Sequence, residues 1–127
     1  MLDCINIDSS VPVYAQIENE LMFAIADCRL KPGDKLPAIR GLSERLNLNH
    51  LTVFKAYRTL EMIGLVCSLH GRGVFIQKGV QAKCRKIVLR RNMAKVHEVV
   101  GEAKAAGMSR TEIKSIISKC YALDASP

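Results

Sequence analysis

The chain has 127 residues, 49% of them hydrophobic and 24% charged, which fits one domain or a small domain with an appendage and excludes a disordered chain. A chain of this length buries about two-thirds of its unfolded surface, enough for a core without covalent staples, and its apolar runs fall far short of the ~20 residues of a membrane span. The formal charge of +7 is uneven: residues 1–78 hold nine Lys and Arg against eight Asp and Glu, whereas 79–127 hold ten against four.

The opening stretch "MLDCINIDSS" has two aspartates and no basic region, so no export signal is expected and the cytoplasm is the default compartment. Over 11–28 the residues Tyr14, Ile17, Leu21 and Ile25 recur at steps of three and four. That period predicts an amphipathic helix, with Ser9 or Ser10 available as its cap. The helix ends before "RLKPGDKLP". Pro32-Gly33 suits the centre of a type II turn, because Pro pre-sets its backbone angle and Gly tolerates positive φ. Leu36 precedes a proline and is pushed toward extended geometry, so a short strand is predicted over 34–36.

Pro37 can open the next helix, where its missing N–H costs nothing. That helix covers about 38–46 and turns Ile39, Leu42 and Leu46 inward. "NLN" then breaks it, and Asn49 is a good cap for a third helix whose core face is Val53, Tyr57, Leu60 and Gly64. Its outward face presents Thr52, Phe54, Lys55, Arg58 and Thr59. Two short helices joined by a tight polar turn form a helix-turn-helix. After Gly64 the period becomes strand-like, and two strands over 65–69 and 74–77 flank His70-Gly71-Arg72-Gly73, whose glycines supply hairpin backbone angles. This is the winged-helix order. The major groove of double-stranded DNA becomes the expected neighbour of the outward face.

A long helix is predicted over 81–106, ended by Gly107 and carrying Ile87, Val88, Val96, Val99, Val100 and Ala103. "SRTE", Ser109 to Glu112, reads as a capping box, after which Ile113, Ile116, Ile117 and Cys120 line one face. These two helices cannot bury their stripes alone, which implies packing on the domain, on a second subunit, or both. The expected fold class is mainly α with a small β-hairpin (α+β). It comprises a winged helix-turn-helix DNA-binding domain at 1–78 and a two-helix dimerisation tail at 79–127.

The five cysteines are scattered and never form a C-x-x-C pair, which argues against a disulfide framework and a zinc site. The three histidines are isolated, and no G-x-S-x-G, P-loop or dinucleotide fingerprint is present. No catalytic activity, metal or cofactor is therefore expected. Between Lys83 and Lys95 stand six basic residues and no acid; a basic protein without catalytic groups suggests a polyanionic partner, and the run itself reads as a solvated or field-generating face rather than a specific site. About fifty residues follow the hairpin and are spent on two helices. Any small-molecule effector is therefore expected at a subunit interface or between tail and winged helix, and the basic run favours an anion. Arg40 is read as a DNA contact, the other reading being an Arg40–Glu44 surface pair worth ~0.3–0.5 kcal/mol. Lys55 and Arg58 are read as phosphate contacts, the other reading of Lys55 being a solvated helix face. Phe54 either touches a thymine methyl or packs beneath the wing. Arg72, between two glycines, suits a minor-groove probe, the other reading being an idle hairpin tip.

"PVYAQI" at 12–17, "LKPGDKLPAIRGLSERLNLNHLTVFKAYRTLEMIGLV" at 30–66 and "HGRGVFI" at 70–76 resemble GntR-type transcriptional regulators. In that family the segment usually runs Pro-Gly-Asp-x-Leu-Pro-Ser-x-Arg-x-Leu, then Thr-Val-x-x-Ala, then Gly-x-Gly near the wing tip. Lys55-Ala56-Tyr57 and the short tail resemble the YtrA-like branch, whose members dimerise through the tail and are often repressors linked to transporter operons. The resemblance implies that Arg40 contacts DNA, and that Asn49, His50 and Thr52 reach phosphates or bases. It implies that Phe54 and Lys55 occupy the next outward turn, and that Gly71 and Arg72, with His70 beside them, form a wing tip that enters the minor groove. Three departures bear on the operator: Ala38 and Ile39 replace a common serine and acid, His50 replaces a common arginine, and Phe54 replaces a common polar residue. The expected function is a sequence-specific repressor acting as a homodimer on a palindromic operator. The alternative is a winged-helix protein-interaction module that binds DNA nonspecifically.

Overall fold

The computed structural model describes residue 2 and residues 4–124, the side chain of Asp124 excepted. In chain order the elements are α1 (Val13–Ala26), α2 (Ile39–Leu46), α3 (His50–Ile63), β1 (Val66–Leu69), β2 (Gly73–Ile76), α4 (Gln81–Ala105) and α5 (Arg110–Asp124). The chain divides into two compact units, Met1–Val88 and Leu89–Pro127.

In the first unit α1 and α2 both pack on α3, and the hairpin follows it. The core joins Ile17, Leu21 and Ile25 of α1, Leu42 of α2, Val53, Ala56, Tyr57 and Leu60 of α3, and Val66 and Ile76 of the strands. Burying these side chains is the main stabilising term, since each removes apolar surface from water. Leu2, Val80 and Cys84 belong to the same core. The opening turn of α4 is thus part of this unit, and Cys84 donates its thiol to Met22 O at 3.2 Å.

The start of α1 differs from expectation. Its N-cap is Pro12, whose carbonyl accepts from Ala15 N and Gln16 N at 3.0 and 3.1 Å, and no side chain caps it. Ser9 is engaged earlier, accepting from Val11 N at 3.1 Å. The preceding segment is tied down instead by Gln16, whose amide donates to Asn6 O at 2.7 Å and Val11 O at 2.8 Å. A glutamine inside the helix therefore organises what a serine before it was expected to organise.

At Pro32-Gly33 the turn forms: Asp34 N donates to Lys31 O at 3.0 Å and Gly33 has φ +89°, which a side chain would resist. The strand expected over 34–36 is reduced to an isolated bridge, Lys35 opposite Phe75. Leu36 N donates to Val74 O at 2.8 Å and Ile76 N to Asp34 O at 2.9 Å, and Pro37 then has no N–H with which to continue. The strands themselves pair antiparallel from Val66 opposite Ile76 to Leu69 opposite Gly73.

Pro37 does not open α2. The N-cap is Ala38, without a side-chain partner, and Pro37 lies one residue outside. Its carbonyl accepts the Tyr57 hydroxyl at 2.7 Å, which ties the entry of α2 to α3. Tyr57 is buried, and burial pushes its phenol far above the usual range, so it stays a neutral donor. Asn47 ends α2 at φ +54°, with Leu48 N donating to Ser43 O at 2.8 Å. Asn49 then caps α3, its side-chain oxygen accepting from Leu51 N at 2.9 Å. Asn49→Ala should cost about 1 kcal/mol of stability, read as a lower thermal midpoint; an unchanged midpoint would mean the cap contributes nothing.

In the second unit the remainder of α4 is joined to α5 by a turn at Gly107, where Met108 N donates to Ala103 O at 3.0 Å. Ser109 N donates to the Glu112 carboxylate at 3.1 Å, and Glu112 N to the Ser109 hydroxyl at 3.2 Å, which is the expected capping box. The bonds from Ser109 hold the Glu112 carboxyl below the usual range. The carboxylate half of the cap is therefore fully present at neutral pH and weakens as pH falls through that lowered value, while the bond from Glu112 N to the Ser109 hydroxyl does not titrate. Between the helices lies an apolar groove of about 350 Å³ lined by Val96, Val99, Val100, Ala103, Met108, Ile113, Ile116 and Ile117. Val99 is 60% exposed and Ile116 51%, so this unit's apolar stripe is only partly covered.

Candidate nucleic-acid interface

The α2–turn–α3 segment encloses an open cleft of about 920 Å³. Its walls carry Arg40 and Glu44 from α2, Asn47 and Asn49 from the turn, and His50 from the first turn of α3. The fold thus brings together three residues singled out in the sequence: Arg40, Asn49 and His50. Glu44 and Asn47 were not among them. Asn47 is at the cleft because it supplies the left-handed residue that ends α2. Among the described residues Arg40 makes no ion pair with Glu44, so its guanidinium fork is uncommitted. A fork of this kind matches the paired acceptors of a guanine edge or a phosphate.

Further along α3 the outward residues diverge, because each step turns the helix by about 100°. Phe54 and Arg58 face the hairpin and share a small cleft of about 90 Å³ with Ile39, Ser68 and Val74. Phe54 sits beside the wing with 47% of its surface exposed, so packing and an apolar contact to a thymine methyl are compatible there. Lys55 faces the other way. Its ammonium lies 3.8 Å from the centroid of the Tyr14 ring on α1. Thr52 is half-buried. Phe54 and Lys55, expected on one outward turn, are therefore presented to opposite flanks of the helix.

At the hairpin tip His70, Gly71 and Arg72 are all exposed, and Arg72 N donates to Leu69 O at 2.9 Å to close the turn. Gly73, at φ +121°, has a second reason to lack a side chain: a Cβ there would stand 2.7 Å from Lys35 Cε. The end of the Lys35 side chain thus lies against Gly73, at the tip end of the hairpin and next in sequence to Arg72. Sequence reasoning missed Lys35, which is itself the residue of the bridge to Phe75. Tyr14, placed by its spacing on the apolar face of α1, does pack against the core; its contact with Lys55 carried no sequence signal.

The arrangement can bind but has no visible chemistry. Among the described residues no three His, Cys, Asp or Glu side chains gather where a metal could be held, and no helix is long and apolar enough to cross a membrane. A capped, polar helix N-terminus, a neighbouring arginine and a basic hairpin beside it make a surface of cations and donors, the kind that suits a nucleic-acid groove and its flanking phosphates.

Residues 13–76, the span from the start of α1 to the end of β2, match the family described as bacterial regulatory proteins, gntR family. The chain belongs to the GntR family of transcriptional regulators. The GntR match accounts for the winged helix, and similarity continues into the tail. The chain is 31% identical over 114 residues to the HTH-type transcriptional repressor YtrA of Bacillus subtilis (strain 168), covering 90% of this chain and 88% of that protein. A solved structure of YtrA from Sulfolobus acidocaldarius, a GntR-family transcription factor, is 34% identical with a TM-score of 0.56, covering 96% of this chain and 98% of that one. AraR(DBD) in complex with operator ORR3 is 28% identical with a TM-score of 0.50, covering 56% of this chain and 86% of that one. This GntR regulator is accordingly a DNA-binding winged-helix protein of the YtrA-like branch. It is not an enzyme.

Proposed function

We propose that this GntR regulator is a repressor that binds a palindromic operator as a homodimer, with the winged helix of 1–78 reading DNA and the tail of 79–127 joining the subunits. The observation that carries the reading is the cleft that gathers Arg40, Asn49 and His50 at the mouth of α3. Arg40 reads a base edge. Asn49, His50 and Thr52 meet phosphates or bases at the helix N-terminus, where unpaired N–H groups favour anions. Phe54 contacts a thymine methyl, Lys55 and Arg58 hold phosphates on the two flanks, and His70, Gly71 and Arg72 enter the minor groove. The partly exposed tail stripe supports a subunit seam, since large apolar patches mark interaction sites. A two-fold dimer presents two recognition helices to half-sites that mirror its symmetry. The protein acts in the cytoplasm, on the nucleoid, and the likeness to YtrA-type repressors supports an operon of transporter genes as its target.

Transcription in vitro from the promoter upstream of its own gene tests the sign of regulation. Added protein should lower transcript yield; an unchanged or higher yield contradicts a repressor. Lys55→Ala should weaken binding to all sequences alike and lower the slope of log affinity against log salt by ~1. Titrations at several salt concentrations would reveal this, and an unchanged slope would remove Lys55 from the phosphate contacts.

A further inference from the structure

Lys55 and Tyr14 come from different helices, far apart in the chain, and meet at one point of the fold. Tyr14 lies in the first turn of α1, and its half-buried side chain packs against the core. Lys55 lies in the second turn of α3 and is exposed, with its Nζ 3.8 Å from the centroid of the Tyr14 ring. That is well inside the ~6 Å range over which an aromatic face attracts a cation. The ring is packed against the core on a helix that itself packs on α3, so the lysine rests on an anchored seat.

The chemistry of that seat matters. A carboxylate could hold the same ammonium, but it would neutralise the charge and compete with a phosphate for the N–H donors. A tyrosine ring holds the cation by its quadrupole and leaves its full charge in place. Among the described residues Lys55 has no acidic partner. Glu18, one turn beyond Tyr14 on α1, is buried, has an oxygen without a hydrogen-bond partner, and makes no ion pair with Lys55. A free lysine has a long, mobile stem, and ordering it costs binding energy. A lysine already ordered, still charged and still exposed on a recognition helix is prepared for an anion.

We propose that Tyr14 is a positioning residue for DNA binding: its ring pre-orders the Lys55 ammonium for a backbone phosphate on the α1 flank of the recognition helix. This rests on the reading of α3 as the DNA-contacting helix. It assigns α1 a part in DNA affinity without requiring α1 itself to touch DNA. Tyr14 then acts on affinity for every sequence, because the group it orders meets a phosphate rather than a base.

The test is a double-mutant cycle on the full chain with a mixed-sequence duplex as probe. Lys55→Met should weaken binding and lower the salt slope by about one. Tyr14→Leu should weaken binding about two- to five-fold, and Tyr14→Phe, which keeps the ring, should bind like the wild type. In the Lys55→Met background Tyr14→Leu should cause no further loss. An equal loss in both backgrounds, no loss in either, or a Tyr14→Phe variant as weak as Tyr14→Leu overturns the proposal. If Lys55→Met binds normally, Lys55 is no phosphate contact and the proposal falls, while the reading of α3 is tested separately by Arg40→Ala. A wild-type measurement guards against a Tyr14→Leu variant that does not fold: the Lys55 ε-methylene protons should show an upfield ring-current shift in NMR spectra. Unshifted protons would mean that the ammonium is not seated on the ring.

Discussion

Glutamate at both Val99 and Ile116 should turn the protein into a monomer by sedimentation and weaken binding to a palindromic site by at least about a hundred-fold. Both side chains line the apolar groove of the tail, and in a single chain they are 60% and 51% exposed. A charge there can reach water in the monomer, so the chain should still fold. At a subunit seam it would be buried unpaired, which is costly. The DNA effect is larger than the loss of any one contact, because linked half-site binding gains a factor of about 10² to 10⁴ from effective concentration alone. Circular dichroism should show the helices intact. A double variant that remains dimeric at micromolar concentration would place the seam elsewhere.

Arg40→Ala should cost about 1–3 kcal/mol of operator binding while leaving binding to scrambled DNA nearly unchanged. The reasons are local. Arg40 stands at the open cleft, close in sequence to Ser43, whose hydroxyl donates to Arg40 O at 2.9 Å and fixes the backbone from which it projects. No ion pair with Glu44 restrains its fork. Arg40→Lys keeps the charge but not the two parallel donors, so it should recover little of the lost specificity. A loss shared equally by operator and scrambled DNA would make Arg40 a phosphate contact instead.

Much of the winged helix could be read from the chain because local signals agreed with tertiary needs. The steps of three and four through Val53, Tyr57 and Leu60 gave the buried face of α3, and all three are buried. Asn49 and the Ser109–Glu112 pair were recognisable caps because such bonds span only two or three residues. What escaped depended on partners remote in sequence. Pro37 suited the first position of a helix, yet the Tyr57 hydroxyl needed its carbonyl. Ser9 and Ser10 suited a cap, yet Gln16 reached back to organise that segment. The strand over 34–36 had the right residues but a proline at its end. The first turn of α4 looked like the start of a tail, although Cys84 is buried in the core of the first unit.

The interface shows the same division. Helical period shows which residues of α3 point outward, but not what lies beside each of them. Phe54 and Lys55 are neighbours in sequence, and only the fold shows one beside the wing and the other over Tyr14. Lys35 carried no signal of its own. Its proximity to the wing follows from the bridge to Phe75 and from a glycine that leaves room for its stem.

Nuclease footprinting of the intergenic region upstream of the gene tests the central claim most directly. A dimeric reader whose two α3 helices enter successive major grooves should protect one discrete site with two-fold related half-sites about one helical turn apart. Arg40→Ala should erase that footprint at protein concentrations where the wild type fills it. Uniform coverage of the fragment, identical for the wild type and Arg40→Ala, would contradict sequence-specific recognition through this face.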